Sequence, residues 1–337
     1  MGEFDLIARI APFLAGAGGG VLVGHGDDAA VIEVGGRGVC VAVDVLVEGV
    51  HFRRGISSWP DVGWKAVAVN VSDLAAMGAS PTGAVVGLCR PVTFAEADVE
   101  ALYAGMGLAC DRWGLRLLGG DTVGGPAFVV SVTALGDIDP RRVVTRGGGR
   151  PGDRLVVVGA LGAAAAALRQ IEAGASPHPA LVAAHRRPVA LPAAGRALAA
   201  HGARAMIDVS DGLGADLGHM CAASGVGARV SAAALPVASG VAEVAGGNLW
   251  RVVCGGGEDF ALVAALPAQA ADVAAEAASA AEGVPAAVVG ELVPLGEGPA
   301  VLLELPGGGR LALDHMGYDH FAAGRPAEGS TPEGIST

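Results

Sequence analysis

Apolar positions along this chain follow two alternating rhythms. Short runs rich in β-branched residues recur at strand length: 39–47 (VCVAVDVLV), 83–89 (GAVVGLC) and 127–136 (AFVVSVTALG). Between them lie longer stretches with helical spacing. Residues 3–15 carry Phe4, Ile7, Ile10 and Leu14 on one face. Trp59 to Met77 reads as a helix closed by Gly78, and Phe94 to Trp113 as another, with Glu96 and Asp98 in the first turn, where the helix dipole favours acids. GHGDDAAVIEV places a Gly-Asp-Asp turn before a short strand, and LRLLGGDT predicts a strand running into a Gly-Gly turn.

The same alternation continues after RGGGRPGDRLVVVG (146–159), whose glycines and Pro151-Gly152 mark a junction before a fresh strand. An Ala-rich helix is expected at 163–173, a proline-broken segment at 176–192, and further helices near 193–201 and 268–281. RAMIDVSDGLGADLGHM predicts strand, turn and helix, and a final strand pair precedes GYDHF. Alternation of this kind argues for mixed α/β layers, and 337 residues favour two domains, here 1–145 and 146–321. Residues 322–337, rich in Gly, Pro, Ser and Thr, are expected to form a disordered tail.

Polar residues that break the apolar runs carry the chemistry. Asp44 interrupts what reads as a buried strand, an expensive place for a carboxylate without a cation beside it. Asp27 and Asp28, Asp73, Asp121, Asp208 and Asp211 stand at the ends of other elements. Their convergence would make a site for several divalent ions, because carboxylates about 4 Å apart repel by about 4 kcal/mol at an effective dielectric near 20. Mg²⁺ suits such oxygen ligands and leaves positions open for phosphate. Each motif alone is ambiguous. GDD also makes ordinary Asx turns, Ser72 or Asp73 could cap a helix, and Glu258 in GGGEDF could be a ligand or a helix-start acid. His51, Tyr318 and Phe321 could equally be structural.

Composition narrows the partners. The 52% hydrophobic content comes mostly from Ala and Val, and no run reaches the ~18 consecutive apolar residues of a spanning helix. The acidic N-terminus lacks the layout of a signal peptide. Five scattered cysteines without a CxxC pair suit reduced thiols in a cytoplasmic protein. A net charge of −12 without a basic cluster argues against nucleic acid and anionic membrane as partners. Lys65 is the only lysine, so arginine and metal ions must supply the positive charge that phosphates need. No Walker A loop, dinucleotide-binding GxGxxG or protein-kinase motif set occurs.

Taken in order, GDDAAV, DVLVEGVHF, KAVAVNVSDLAAMGA, LGGDT, TRGGGRPGD, IDVSDGL, CGGGEDF and GYDHF resemble the thiamine-monophosphate kinase family, within the group that includes aminoimidazole ribonucleotide synthetase and selenophosphate synthetase. The resemblance covers roughly residues 3–321. It implies transfer of the γ-phosphoryl of ATP to thiamine monophosphate, and an N-terminal α/β domain that pairs with a second copy in a β-barrel-like homodimer while the C-terminal domain packs over the nucleotide. It further implies Asp28, Asp44, Asp73 and Asp121 as Mg²⁺ ligands, the last three as the catalytic centre, with Asp208 and Asp211 added as ligands from the second domain. Gly120, Asp121, Arg146 and Ser210 would contact ATP. His51, Glu258 and Tyr318 would line the thiamine phosphate pocket.

There is a departure. Ala42-Val43 replace the Ser/Thr-Thr usual before the strand aspartate, so a metal contact at Val43 would have to use a backbone carbonyl. Related enzymes fit less well: the first cysteine is Cys40, against the N-terminal cysteine of selenophosphate synthetase, and the cysteine-ended tail of the hydrogenase-maturation relative is lacking. A non-catalytic nucleotide- or metal-binding protein is the rival from another class.

Overall fold

The first half of the chain builds a sheet and lays two helices on one of its faces. The computed structural model describes residues 3–14, 16–314 and 316–318. In chain order come α1 (Glu3–Ile10), β1 (Val21–Val23), β2 (Ala30–Val34), β3 (Arg37–Val47), α2 (Trp59–Ala76), β4 (Ser80–Arg90), α3 (Glu96–Trp113), β5 (Arg116–Gly124) and β6 (Val129–Ile138). The strands form a six-stranded sheet, order β1-β2-β3-β6-β4-β5, in which β4 and β5 are parallel and the other neighbours antiparallel. It is open, with β1 and β5 as edges.

The second half contributes β7 (Arg154–Val158), α4 (Ala163–Glu172), α5 (Pro179–Arg186), α6 (Pro192–Ala200), β8 (Ala205–Asp208), α7 (Leu213–Ser224), β9 (Val226–Ser231), α8 (Val241–Ala245) and α9 (Leu249–Gly255). Then follow β10 (Leu262–Leu266), α10 (Ala271–Glu282), β11 (Ala286–Pro294), β12 (Val301–Glu304) and β13 (Arg310–Ala312). Its seven-stranded sheet runs β13-β12-β9-β11-β7-β10-β8. The architecture is the mixed α/β arrangement of two sheet-centred halves that the alternation predicts.

Helix α2 is where the halves meet. Ser58 caps it in a reciprocal box with Asp61, and nearly every residue from Asp61 to Ala76 is buried. A helix that is apolar on all sides must be covered on all sides. The first sheet, through β3 and β6, covers one side, α3 another, and α6 with β8 of the second half the rest. Glycines permit the closest approaches. A Cβ on Gly63 would stand 2.0 Å from the Leu102 carbonyl oxygen, and one on Gly105 2.0 Å from that of Pro60. Gly63→Ala is therefore expected to cost about 3 kcal/mol in chemical denaturation; a loss within ~0.5 kcal/mol would mean that α2 and α3 can part easily.

Four expectations need correction. The first helix stops at Ile10 and gives way to a 3₁₀ turn over Ala11–Phe13, because Pro12 has no N–H to continue an α-helical ladder. The proline-broken segment contains α5, with Pro179 in its first turn, where the missing N–H costs nothing. Gly119-Gly120 is no turn: β5 runs straight through it beside β4, with a register shift opposite Ala84 and Val85. Strand β3 is buried on one face only, since Val43 and Val45 are 60% and 45% exposed while Cys40, Ala42 and Leu46 are covered. The anticipated tail at 322–337 and Phe321 lie outside the described residues.

Candidate active site

Three strand and loop ends meet around the C-terminal half of α2. Asp44 lies on the covered face of β3, in the row of Ala42 and Leu46. Its backbone N–H donates to Asn70 Oδ1 (3.0 Å), and Asn70, fully buried, donates in turn to the Ala66 carbonyl (3.0 Å). Two residues on, Ser72 Oγ donates to Asp208 Oδ2 (2.5 Å) at the end of β8. Asp73 follows directly. One oxygen each of Asp28, Asp73 and Asp208 lies within 4.8 Å of the others, and Asp44 is close enough for its charge to act on Asp73. Acids from both halves of the chain thus converge.

Their electrostatics are unfavourable without added cations. Burial first, then the charges of Asp44, Asp208 and Asp28, push Asp73 well above the ordinary carboxylate range. Burial and Asp28 push Asp208 up to about 8, and burial raises Asp44 and Asp28 as well. Arg146 offsets part of this: its Nη2 donates to Asp28 Oδ1 (2.7 Å) and its backbone N–H to Asp27 Oδ1 (2.9 Å). Asp28 Oδ2, however, is buried and unpartnered. A hard divalent cation fits this donor set: all-oxygen, anionic, closely spaced and with a lone pair unclaimed.

The other expected residues fall into three places. Asp211, in the turn before α7, is half-buried. Its N–H and that of Gly212 donate to buried Asp216 (3.1 and 2.9 Å), and its carbonyl accepts from the Tyr318 N–H (3.2 Å). Ser210 accepts the Glu258 N–H at its carbonyl (2.7 Å). Asp121 stands apart. In the lateral row of Asp44 come Val132, Val86 and then Gly120; Asp121 is one residue further, in the row of Val45, Ser131 and Gly87. Its side chain therefore lies on the exposed opposite face, three strands and about 14 Å away. Gly120 is required there, for a Cβ would meet the Val86 carbonyl oxygen at 1.8 Å. Val43 is also out of phase: with the Asp44 N–H turned to Asn70, the Val43 carbonyl points into the ladder with β6.

Glu258 and His51 meet through a residue that the motif reading used only for counting charge. Lys65 Nζ, on α2, makes a close ion pair with Glu258 Oε1 and donates to the His51 carbonyl (3.1 Å). His185 Nδ1 lies 3.0 Å from Glu258 Oε2. Burial works to raise Glu258, but Lys65 and His185 outweigh it and hold the carboxyl at about 2. Glu258 and Phe260 both take left-handed backbone conformations (φ 71° and 49°), a concentration of strain typical of functional loops. Tyr318 is 40% exposed at the end of the described chain.

Sequence reasoning missed Asn70, His185 and Asp216, and considered Ser72 only as a helix cap. The available signal was the run KAVAVNVSD, where an otherwise apolar helix admits Lys, Asn, Ser and Asp. No described helix is long and apolar enough to cross a membrane, and all five cysteines are free.

Comparison with known proteins places this geometry. Residues 26–138 match the AIR synthase related protein N-terminal domain, and 150–301 the corresponding C-terminal domain. The thiamine-monophosphate kinase of Mycobacterium tuberculosis (strain ATCC 25618 / H37Rv) is 43% identical over 268 residues, 78% of this chain and 80% of its own. That of Escherichia coli (strain K12) is 35% identical over 328 residues, 95% and 98% of the two chains. The solved structure of AaThiL complexed with AMPPCP and TMP superposes with a TM-score of 0.81 at 30% identity, covering 95% of this chain and 97% of that one. With such identity sustained over nearly the whole length, this chain belongs to the thiamine-monophosphate kinase family of phosphotransferases.

Proposed function

We propose that the chain transfers the γ-phosphoryl group of ATP to the phosphate of thiamine monophosphate, giving thiamine diphosphate and ADP. The observation that carries this reading is the meeting of Asp28, Asp73 and Asp208, drawn from both halves of the chain, around an unpartnered buried carboxylate oxygen. That arrangement suits polyphosphate held through cations. AMPPCP and TMP bound to the AaThiL relative suit the same pair of substrates here.

In this mechanism Asp28, Asp44, Asp73 and Asp208 would hold Mg²⁺, with Asp211 at the margin. Bound Mg²⁺ ions supply the charge neutralisation that lets two anionic phosphates approach. The chain's own residues align the reactants. Arg146, Ser210 and Gly120 serve the nucleotide, and His51, Glu258 and Tyr318 the thiamine phosphate. Transfer is in-line and direct, without a phosphoenzyme. The acceptor oxygen is already ionised at neutral pH, so no strong general base is needed and positioning dominates the rate.

The chain divides into a metal, ATP and dimerisation part (1–145) and a part that packs over the nucleotide (146–321). The assembly is a homodimer, with no role for nucleic acid or membrane. Val43, Val45 and Val85 leave one face of the first sheet apolar and open, the kind of surface a second copy covers. Asp121 lies on that face, so any part it plays as a ligand depends on the dimer. Free cysteines and the lack of a described spanning helix suit a cytoplasmic enzyme.

Incubation with MgATP and thiamine monophosphate is expected to yield thiamine diphosphate and ADP in equal amounts, read by chromatography. Tight nucleotide binding with no thiamine diphosphate formed would favour the non-catalytic rival.

A further inference from the structure

Helix α2 carries a polar group for each end of the acceptor site. Asp73 belongs to the acid cluster, and Lys65 lies eight residues earlier, a separation of about 12 Å along the helix. Lys65 is 3% exposed, and its ammonium ties together two segments distant in sequence: the His51 carbonyl after β3, and the Glu258 carboxylate in the strained loop before β10. His185, from α5, closes on the other oxygen of Glu258.

A buried ammonium is costly unless paired, and cation–carboxylate pairs of this kind are often replaceable by apolar side chains without loss of stability. Packing alone therefore gives no reason for a charged residue here. Indole contacts already fasten the halves beside it: Trp64 Nε1 donates to the Pro188 carbonyl (2.7 Å) and Trp113 Nε1 to that of Ala190 (3.1 Å). What Lys65 adds is orientation. It fixes both oxygen-bearing segments at a set distance from the acids, a span that a phosphate ester of two linked rings can bridge.

We propose that Lys65 is the positioning residue of the acceptor pocket, holding Glu258 and the His51 segment in register with the acid cluster on the same helix. This rests on the reading of Glu258 and His51 as acceptor-binding. Lys65 bonds to Glu258 and the His51 carbonyl and not to Arg146, Ser210 or Gly120, so its loss is expected to weaken acceptor binding in the ground and transition states alike.

The test is Lys65→Met, which keeps length and volume, read by steady-state kinetics with each substrate varied in turn. The expected result is a KM for thiamine monophosphate raised about tenfold or more, a KM for ATP within about twofold of wild type, and a smaller change in kcat. Lys65→Arg is expected to recover part of the lost acceptor affinity. Unchanged constants, or equal losses for both substrates, would overturn the proposal. Should Lys65→Met not fold, Lys65→Gln is read the same way, and failure of both to fold would make Lys65 structural and end the proposal. Wild-type protein that forms no thiamine diphosphate would instead refute the function proposed above.

Discussion

Asp73→Asn is expected to lower turnover by about a thousandfold and, in metal-free protein near pH 8, to raise the melting temperature by a few degrees. On the proposed mechanism the loss of activity follows from removing a central ligand of a site that would work by charge neutralisation. The gain in stability follows from the same geometry. Two carboxylates within 4.8 Å repel by roughly 3.5 kcal/mol at an effective dielectric near 20, and Asp73 faces Asp44, Asp208 and Asp28 together. Asparagine preserves the shape and removes the repulsion. Asp44→Asn is expected to share the first effect, with turnover abolished and the fold intact. Thermal melts with and without Mg²⁺ alongside the kinase assay check both halves. A destabilised but active Asp73→Asn would show that the carboxylate serves packing, not chemistry.

The second large effect is a pH dependence that flattens when metal is added. Burial and Asp28 hold Asp208 at about 8 in the folded protein, against about 3.9 for an exposed aspartate. A carboxyl whose folded pKa is raised keeps a proton that the unfolded chain has already released. Between the two values the folded state binds more protons, so its stability falls as pH rises from about 4 to about 8. Asp28, Asp44 and Asp73 are shifted in the same direction and steepen the fall. Mg²⁺ competes with those protons, so the stabilisation it confers should grow across the same window. Chemical denaturation at several pH values, with EDTA or with Mg²⁺, measures both curves. A metal-free stability that is flat or rising between pH 5 and 8 would contradict the clustering.

What could be read from the residues and what could not divide along the range of the interactions. Strand β3, helix α2 with its stop at Gly78, and the strand-turn-helix around Asp208 follow from local pattern, and the structure has them in those places. Local pattern failed where geometry depended on a neighbour. The glycines before Asp121 look like a turn, yet pairing with β4 keeps them in a strand, and the two-residue period then sends Asp121 to the face opposite Asp44. Pairings across the halves left no local trace of which residue meets which. Ser72 meets Asp208 across 136 residues and Lys65 meets Glu258 across 193. The buried side of the site was thus visible only as polar letters out of place in an apolar helix.

The central claim is that acids from both halves form one magnesium site. Manganese substitutes for magnesium on oxygen ligands and scatters anomalously, so the most direct measurement is a crystal grown with Mn²⁺ and a non-hydrolysable ATP analogue. Anomalous peaks are expected within coordination distance of Asp28, Asp44, Asp73 and Asp208, bridging to the nucleotide phosphates. Manganese bound elsewhere, with those four carboxylates left facing one another and the phosphates seated away from them, would contradict it.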